Sequence, residues 1–111
     1  MQQQPTAPGA IRSLADVFRA MQTRGSNHAI VLEEKDFAPE FFDLRSGLAG
    51  ELFQKLVNYG LRVAIVVPDP AVHGERFKEL AHEHRSHGVV RIVKSAAEAR
   101  AWLQATDPRA T

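Results

Sequence analysis

No cysteine occurs in this chain of 111 residues. Disulfides, thiolate metal sites and cysteine nucleophiles are therefore excluded, and an intracellular, cytoplasmic setting is the simplest reading. Charge of one sign is lacking too. Lysine and arginine number 14 against 13 aspartates and glutamates, interspersed, for a net charge of +1. Such a balance leaves no footprint for nucleic acid or an anionic membrane. Long apolar runs are missing as well: the longest, Val63–Val67, falls far short of the ~20 residues a membrane helix needs. The first residues, Met-Gln-Gln-Gln-Pro-Thr, lack the basic start and apolar stretch of a signal peptide. There is no internal repeat, and no G-x-x-x-x-G-K-[ST], G-x-G-x-x-G or H-E-x-x-H spacing occurs. Nor is there a nucleophile-elbow pattern around any serine. No cofactor is implied and no catalytic constellation is complete, so the reading leans away from an enzyme.

What remains fits one domain. At 12.3 kDa, surface scaling implies that roughly two-thirds of the unfolded chain's surface is buried on folding. That supplies a modest core without metal or disulfide. Residues 11–105 read as a single α/β domain, with disordered tails at 1–10 and 106–111.

Periodicity places the elements. Ile11–Arg24 carries Ile11, Leu14, Val17, Phe18 and Met21 on one helical face. Ser13 with Asp16 resembles a capping box, and Gly25 is a stop. Ala29–Leu32 reads as a buried strand, and Glu33–Glu40 as a polar, irregular segment broken by Pro39. Gly47–Tyr59 sets Leu48, Leu52 and Leu56 in an i, i+4 row, with Phe53 and Val57 beside it, and Gly60 ends that helix. Leu61–Val67 is the central strand, apolar on both faces. Glu75–His87 forms a helix stopped by Gly88, Val89–Val93 a third strand, and Ser95 with Glu98 caps a last helix through Trp102 and Leu103. The expected fold is a small α/β sandwich: a mostly parallel sheet of three to four strands, about four helices and right-handed crossovers. So narrow a sheet leaves an edge exposed unless a tail or second subunit covers it, which makes a homodimer the expectation.

Chemistry in such sheets gathers at the carboxyl ends of the strands. Three segments converge there: Glu33–Ser46, Pro68–Gly74 and Lys94–Ser95. The first is richest. Asp43 or Ser46 can cap free backbone N–H groups, Arg45 adds a full positive charge, and Gly47 and Gly50 let a backbone or an anion come close. The functional reading is an anion or phosphate site, or a modifiable Ser46. The structural alternative is an ordinary cap, an exposed arginine and small residues for packing. Asp69, between Pro68 and Pro70, is a catalytic carboxylate or a turn residue. The histidines His73, His82, His84 and His87 invite a metal. Only His84 and His87 have sharing spacing, however, and a solvated helix end is the simpler reading, with His87 suited as a cation to the helix C-terminus. Glu33, Glu34 and Asp36 read as a solvated loop, Tyr59 as packing, Asn58 as a C-cap and Trp102 as a cover for the sheet edge.

The stretch Phe41-Phe42-Asp43-Leu44-Arg45-Ser46-Gly47-Leu48-Ala49-Gly50-Glu51, followed by Gln54-Lys55, Asn58-Tyr59 and Val63–Val66, resembles the bacterial domain of unknown function 4180. Ala96–Leu103 is similar to that family's A-x-x-W-L ending. The resemblance spans Ile11 to Leu103 and implies no established activity. Phe42–Leu48 also looks like the D-S-[ST]-G-L signature of STAS domains of the anti-sigma factor antagonist type, with one extra residue between Asp43 and Ser46. That likeness implies a regulatory or protein-interaction domain in which Ser46 is phosphorylated by a partner kinase. The alternative is a small-molecule or anion-binding domain, with weak catalysis at most, using Asp43, Arg45, Ser46 and Asp69.

Overall fold

In a computed structural model describing residues 11–25 and 28–106, the described residues form four helices and three strands. They are α1 (Leu14–Arg24), β1 (Ala29–Glu33), α2 (Leu48–Tyr59), β2 (Arg62–Val66), α3 (Glu75–Glu83), β3 (Val90–Val93) and α4 (Ala96–Ala105). Both strand pairs are parallel and the order is β1-β2-β3. Because the chain moves across the sheet in one direction, crossovers of one hand set α2 and α3 on the same face. Alternation along β2 divides the core accordingly. Val63, Ile65 and Val67 join a cluster with residues of α1, α2 and α3, whereas Ala64 and Val66 face Ala99 and Trp102 of α4. The expected α/β sandwich is therefore correct, with three helices on one face and a single helix on the other. Residues 1–10 and 107–111, expected to be tails, lie outside the described residues; Thr106 caps α4.

Several local expectations change. The first helix begins at Leu14 rather than Ile11. Ile11 instead forms a parallel bridge to Phe37: its N–H donates to Asp36 O at 2.9 Å and its carbonyl accepts from Ala38 N–H at 3.0 Å. Of Glu33, Glu34 and Asp36, expected to form a solvated loop, only Glu33 is exposed. Asp36 is only 3% exposed, and its carboxylate accepts the Glu33 N–H at 2.8 Å. A buried backbone donor needs such a partner, and a charged acceptor supplies a strong one. Short 3₁₀ turns at Glu34–Asp36 and Pro39–Phe42 then bring Phe37 and Phe41 inward, their rings stacked at 4.2 Å. Asn58 accepts from Gln54 Nε2 rather than capping α2. Gly60, at φ 67°, ends the helix in the left-handed conformation that favours glycine. Tyr59 is 63% exposed and leans edge-on against Phe18. Trp102 covers the second face of the sheet, not its edge.

α3 stops at Glu83, four residues before the expected end, and the difference protects the sheet. Val63 N–H donates to Val89 O and Val67 N–H to Val93 O, so Val90 and Ile92 turn their backbone groups away from β2. His84 and His87 meet them there. Ile92 N–H donates to His84 O at 3.1 Å, His84 Nδ1–H donates to Val90 O at 2.9 Å, and Val90 N–H donates to His87 Nδ1 at 3.2 Å. Three outward groups of β3 are thus satisfied within the chain, so this edge needs no second subunit to cover it.

Because His87 Nδ1 accepts, it carries no proton, contrary to the cationic helix end read from the sequence. Burial, then the facing charges of His84 and Arg91, push its pKa below the ordinary 6.5. The unfolded chain therefore binds this proton more readily than the folded one. The stability His87 contributes is complete above pH 6.5 and is lost as pH falls through 6.5 toward the lowered folded value. The urea midpoint should drop between about pH 7 and pH 5, and His87→Asn, which keeps an acceptor without titrating, should flatten that slope. A slope unchanged in His87→Asn would show that this imidazole is not the titrating group.

Candidate functional site

The turn from Phe41 into α2 is built by its own side chains. Asp43 Oδ1 accepts the Arg45 N–H at 3.1 Å, and its two oxygens take the Arg45 guanidinium at 3.1 and 3.3 Å. The guanidinium first, and the backbone N–H second, hold the Asp43 carboxyl below its ordinary pKa, while Asp43 raises that of Arg45. The Ser46 hydroxyl lies 2.8 Å from both the Glu40 and Asp43 carbonyls and accepts the Leu48 N–H at 3.2 Å. Both predicted capping residues therefore cap. Gly47 is required for its backbone, at φ 74°, and not for a close approach: a Cβ on Gly47 or Gly50 would meet nothing within 4 Å. Among the described residues no backbone approaches the Cβ position of either glycine, contrary to the packing expectation.

Beside this turn lies a groove of about 520 Å³, walled by Phe42, Asp43, Leu44 and Arg45 on one side and Val72 to Phe77 on the other. Its centre is His73. The His73 ring stacks on Phe42 at 3.9 Å and 12°, with the edge of Phe77 at 5.3 Å. Its Nε2 is bound by Glu34 Oε2, a residue 39 positions away that follows β1. The carboxylate holds a proton on Nε2, so that in the neutral tautomer Nδ1 is the acceptor. Nδ1 makes no hydrogen bond to another described residue. The group thus has a fixed orientation, a fixed tautomer and one free nitrogen, at the carboxyl ends of β1 and β2 where ligands gather in parallel sheets.

A second depression, of about 470 Å³, lies at the carboxyl ends of β2 and β3 and contains Asp69 with Lys78, His82, Arg85, Lys94 and Glu98. The predicted residues are therefore divided. Asp43 and Arg45 line the groove, Asp69 lines the cleft, and the two depressions share no lining residue. Asp69 Oδ1 accepts Ala71 N–H at 3.2 Å, the turn role allowed for it. Ser46 and Gly50 line neither depression, and both are exposed.

Glu34 and His73 as a pair escaped the sequence reading, because nothing local announces a contact 39 residues apart. The basic cleft did carry a signal: Lys78 and His82 are four apart with Arg85 three further on, the spacing of one helical face. The metal reading of the histidines finds no support: His84 and His87 spend Nδ1 on the β3 edge, and no group of three or more potential ligands lies together among the described residues. Among those residues, no helix is long and apolar enough to cross a membrane.

The family model described as Domain of unknown function (DUF4180) matches residues 6–103. No curated protein and no solved structure matches the chain. The match takes in every strand of the sheet, the Glu34–His73 pair and both depressions, and the chain belongs to the domain of unknown function 4180 family.

Proposed function

We propose that this domain binds a small anionic ligand in the groove at the carboxyl ends of β1 and β2, with His73 accepting a hydrogen bond or proton from it. The observation that carries the reading is the convergence of three separate segments on one imidazole. Glu34 fixes its tautomer, Phe42 fixes its plane, and the His73 segment itself follows β2. Arg76 on the groove wall, alongside Glu75, makes no ion pair with another described residue and supplies the positive charge, whereas Arg45 is paired with Asp43. A carboxylic acid or a phosphate monoester, both anions with an exchangeable proton, matches that lining. No bond-making step is proposed.

The test is thermal denaturation and calorimetric titration with inorganic phosphate, glycerol phosphate and simple carboxylates. A ligand at 100-fold its Kd stabilises by about 2.7 kcal/mol. His73→Gln keeps a donor toward Glu34 but has no ring acceptor, and should weaken binding about tenfold, as loss of one charged hydrogen bond does. No stabilisation by any of these probes would remove the proposal.

The regulatory reading, a STAS-like interaction domain switched at Ser46, draws support from the exposure of Ser46 at the turn into α2. Two features weigh against it. The hydroxyl sits against two carbonyl oxygens, which a phosphate would repel, and Arg45 is already forked onto Asp43. If Ser46 is a switch, Ser46→Glu will change partner capture or self-association. For a second copy of this chain, β1 rather than the histidine-sealed β3 is the edge available.

A further inference from the structure

The cleft between α3 and the β3–α4 junction carries an excess of positive charge. Lys78, Arg85 and Lys94 line it together with His82, and none of the three makes an ion pair with another described residue. Its two carboxylates leave these three cations in excess: Asp69 accepts the Ala71 N–H at 3.2 Å and Glu98 the Lys94 N–H at 3.3 Å, both within the lining. Solvated cations on a convex surface would call for no explanation. Here they come from two elements that follow different strands and converge on one concavity. Its lining is mixed, with Val67, Pro68, Pro70, Ala81, Ile92 and Val93 beside the charged groups. A concavity with an excess of one charge focuses its field and raises the local concentration of a counter-ion.

We infer that this cleft is a binding site for a phosphorylated small molecule, separate from the His73 groove. The phosphate would be held by Lys78, Arg85 and Lys94, with a ring N–H of His82 as a further donor. A volume of about 470 Å³ lies in the range of ligand pockets, about 300–1,000 Å³. It exceeds what a bare phosphate fills, and Pro68, Pro70 and Ala71 add apolar surface to the lining. The ligand class is therefore a phosphate carrying an apolar or planar body, such as a nucleoside phosphate, rather than a free inorganic anion.

The probes are AMP, ADP, adenosine and inorganic phosphate, titrated into the full chain by calorimetry and followed by amide chemical shifts. AMP or ADP should bind more tightly than either adenosine or phosphate, with the shifts centred on residues 69–71 and 94–98. Raising salt should weaken the complex, as expected for charge recognition. Lys78→Ala and Arg85→Ala should each weaken ADP about tenfold, as removal of one charged hydrogen bond does. Both side chains are exposed, so unchanged urea midpoints will verify folding. Arg100→Ala, exposed and outside both depressions, should leave ADP affinity unchanged; Arg76→Ala and His73→Gln are the groove variants against which the cleft variants are read. Binding lost in the groove variants and kept in Lys78→Ala/Arg85→Ala would overturn the cleft while sparing the groove. No binding of AMP or ADP at millimolar concentration would overturn the cleft outright.

Discussion

Phe41→Ala is expected to lower the unfolding free energy by about 3–5 kcal/mol, the range for truncating a buried phenylalanine. At about 4–8 °C per kcal/mol for a domain near this size, the melting temperature should fall by at least about 12 °C. Phe41 is fully buried and joins segments that have no backbone pairing with one another. Its ring stacks on Phe37 at 4.2 Å and meets Phe53 of α2 at 5.8 Å and Phe77 of α3 at 6.3 Å. It also meets Phe42 at 5.1 Å, the ring on which His73 lies. The loss should therefore reach the groove: ligand affinity in Phe41→Ala should fall even at temperatures where the variant is folded. Phe41→Leu, which keeps most of the volume, should retain more of both. An unfolding free energy lowered by less than about 1 kcal/mol, below the cost of a typical core truncation, would mean that the turn collapses over the missing ring and is not held by it.

The same region marks where the sequence was legible and where it was not. The helix of Leu48, Leu52 and Leu56 and the strand Val63–Val67 follow from apolar periods, which report burial directly. Gly60 and the Ser95–Glu98 pair follow from capping chemistry, because a helix end must satisfy its own backbone groups. The helix starting at Ser13 was readable for the same reason, but Ile11 was drawn into it by matching the period. Its pairing with Phe37 depends on a contact between remote segments, which local periodicity does not encode. Asp36 was misread because charge ordinarily marks solvent. Here the carboxylate is spent on the backbone of Glu33 and the residue is buried by the aromatic turn that follows it.

For the candidate sites the division is similar. The Asp43–Ser46 turn was legible because its residues bond to one another within a few positions. The Glu34–His73 pair was not, since it exists only once β1 and β2 are adjacent in register, Leu32 beside Ile65. The histidines show how residue type alone misleads. Four of them in one region resemble a metal site, yet they serve three different tasks. His73 is clamped in a groove, His84 and His87 close a strand edge, and His82 faces a basic cleft.

The second face of the sheet rests on one helix, and that makes Trp102 the other residue whose loss should be severe. Ala64, Val66 and Val93 are covered there by Ala99 and Trp102. Trp102 is 8% exposed and carries the Arg91 guanidinium 4.8 Å above its ring. A cation so placed adds about 0.5–1 kcal/mol beyond the buried area. Farther along α4, Arg62 Nη1 donates to Leu103 O at 3.3 Å and to Thr106 Oγ1 at 2.6 Å, tying the helix end to β2. Trp102→Ala should cost about 3–5 kcal/mol, but the manner of failure should differ from that of Phe41→Ala. The three helices on the opposite face bury their own cluster without α4, so α4 should detach before the sheet unfolds. Hydrogen exchange in Trp102→Ala should then show amide protection lost across residues 96–105 while protection in β2 falls less, the signature of a sub-global opening. Trp102→Phe, which retains an aromatic ring over the same three residues, should keep most of the helix protection. If instead both elements lose protection together in Trp102→Ala, the two faces of the sheet form one cooperative unit, and the helix on the second face is integral to folding the first.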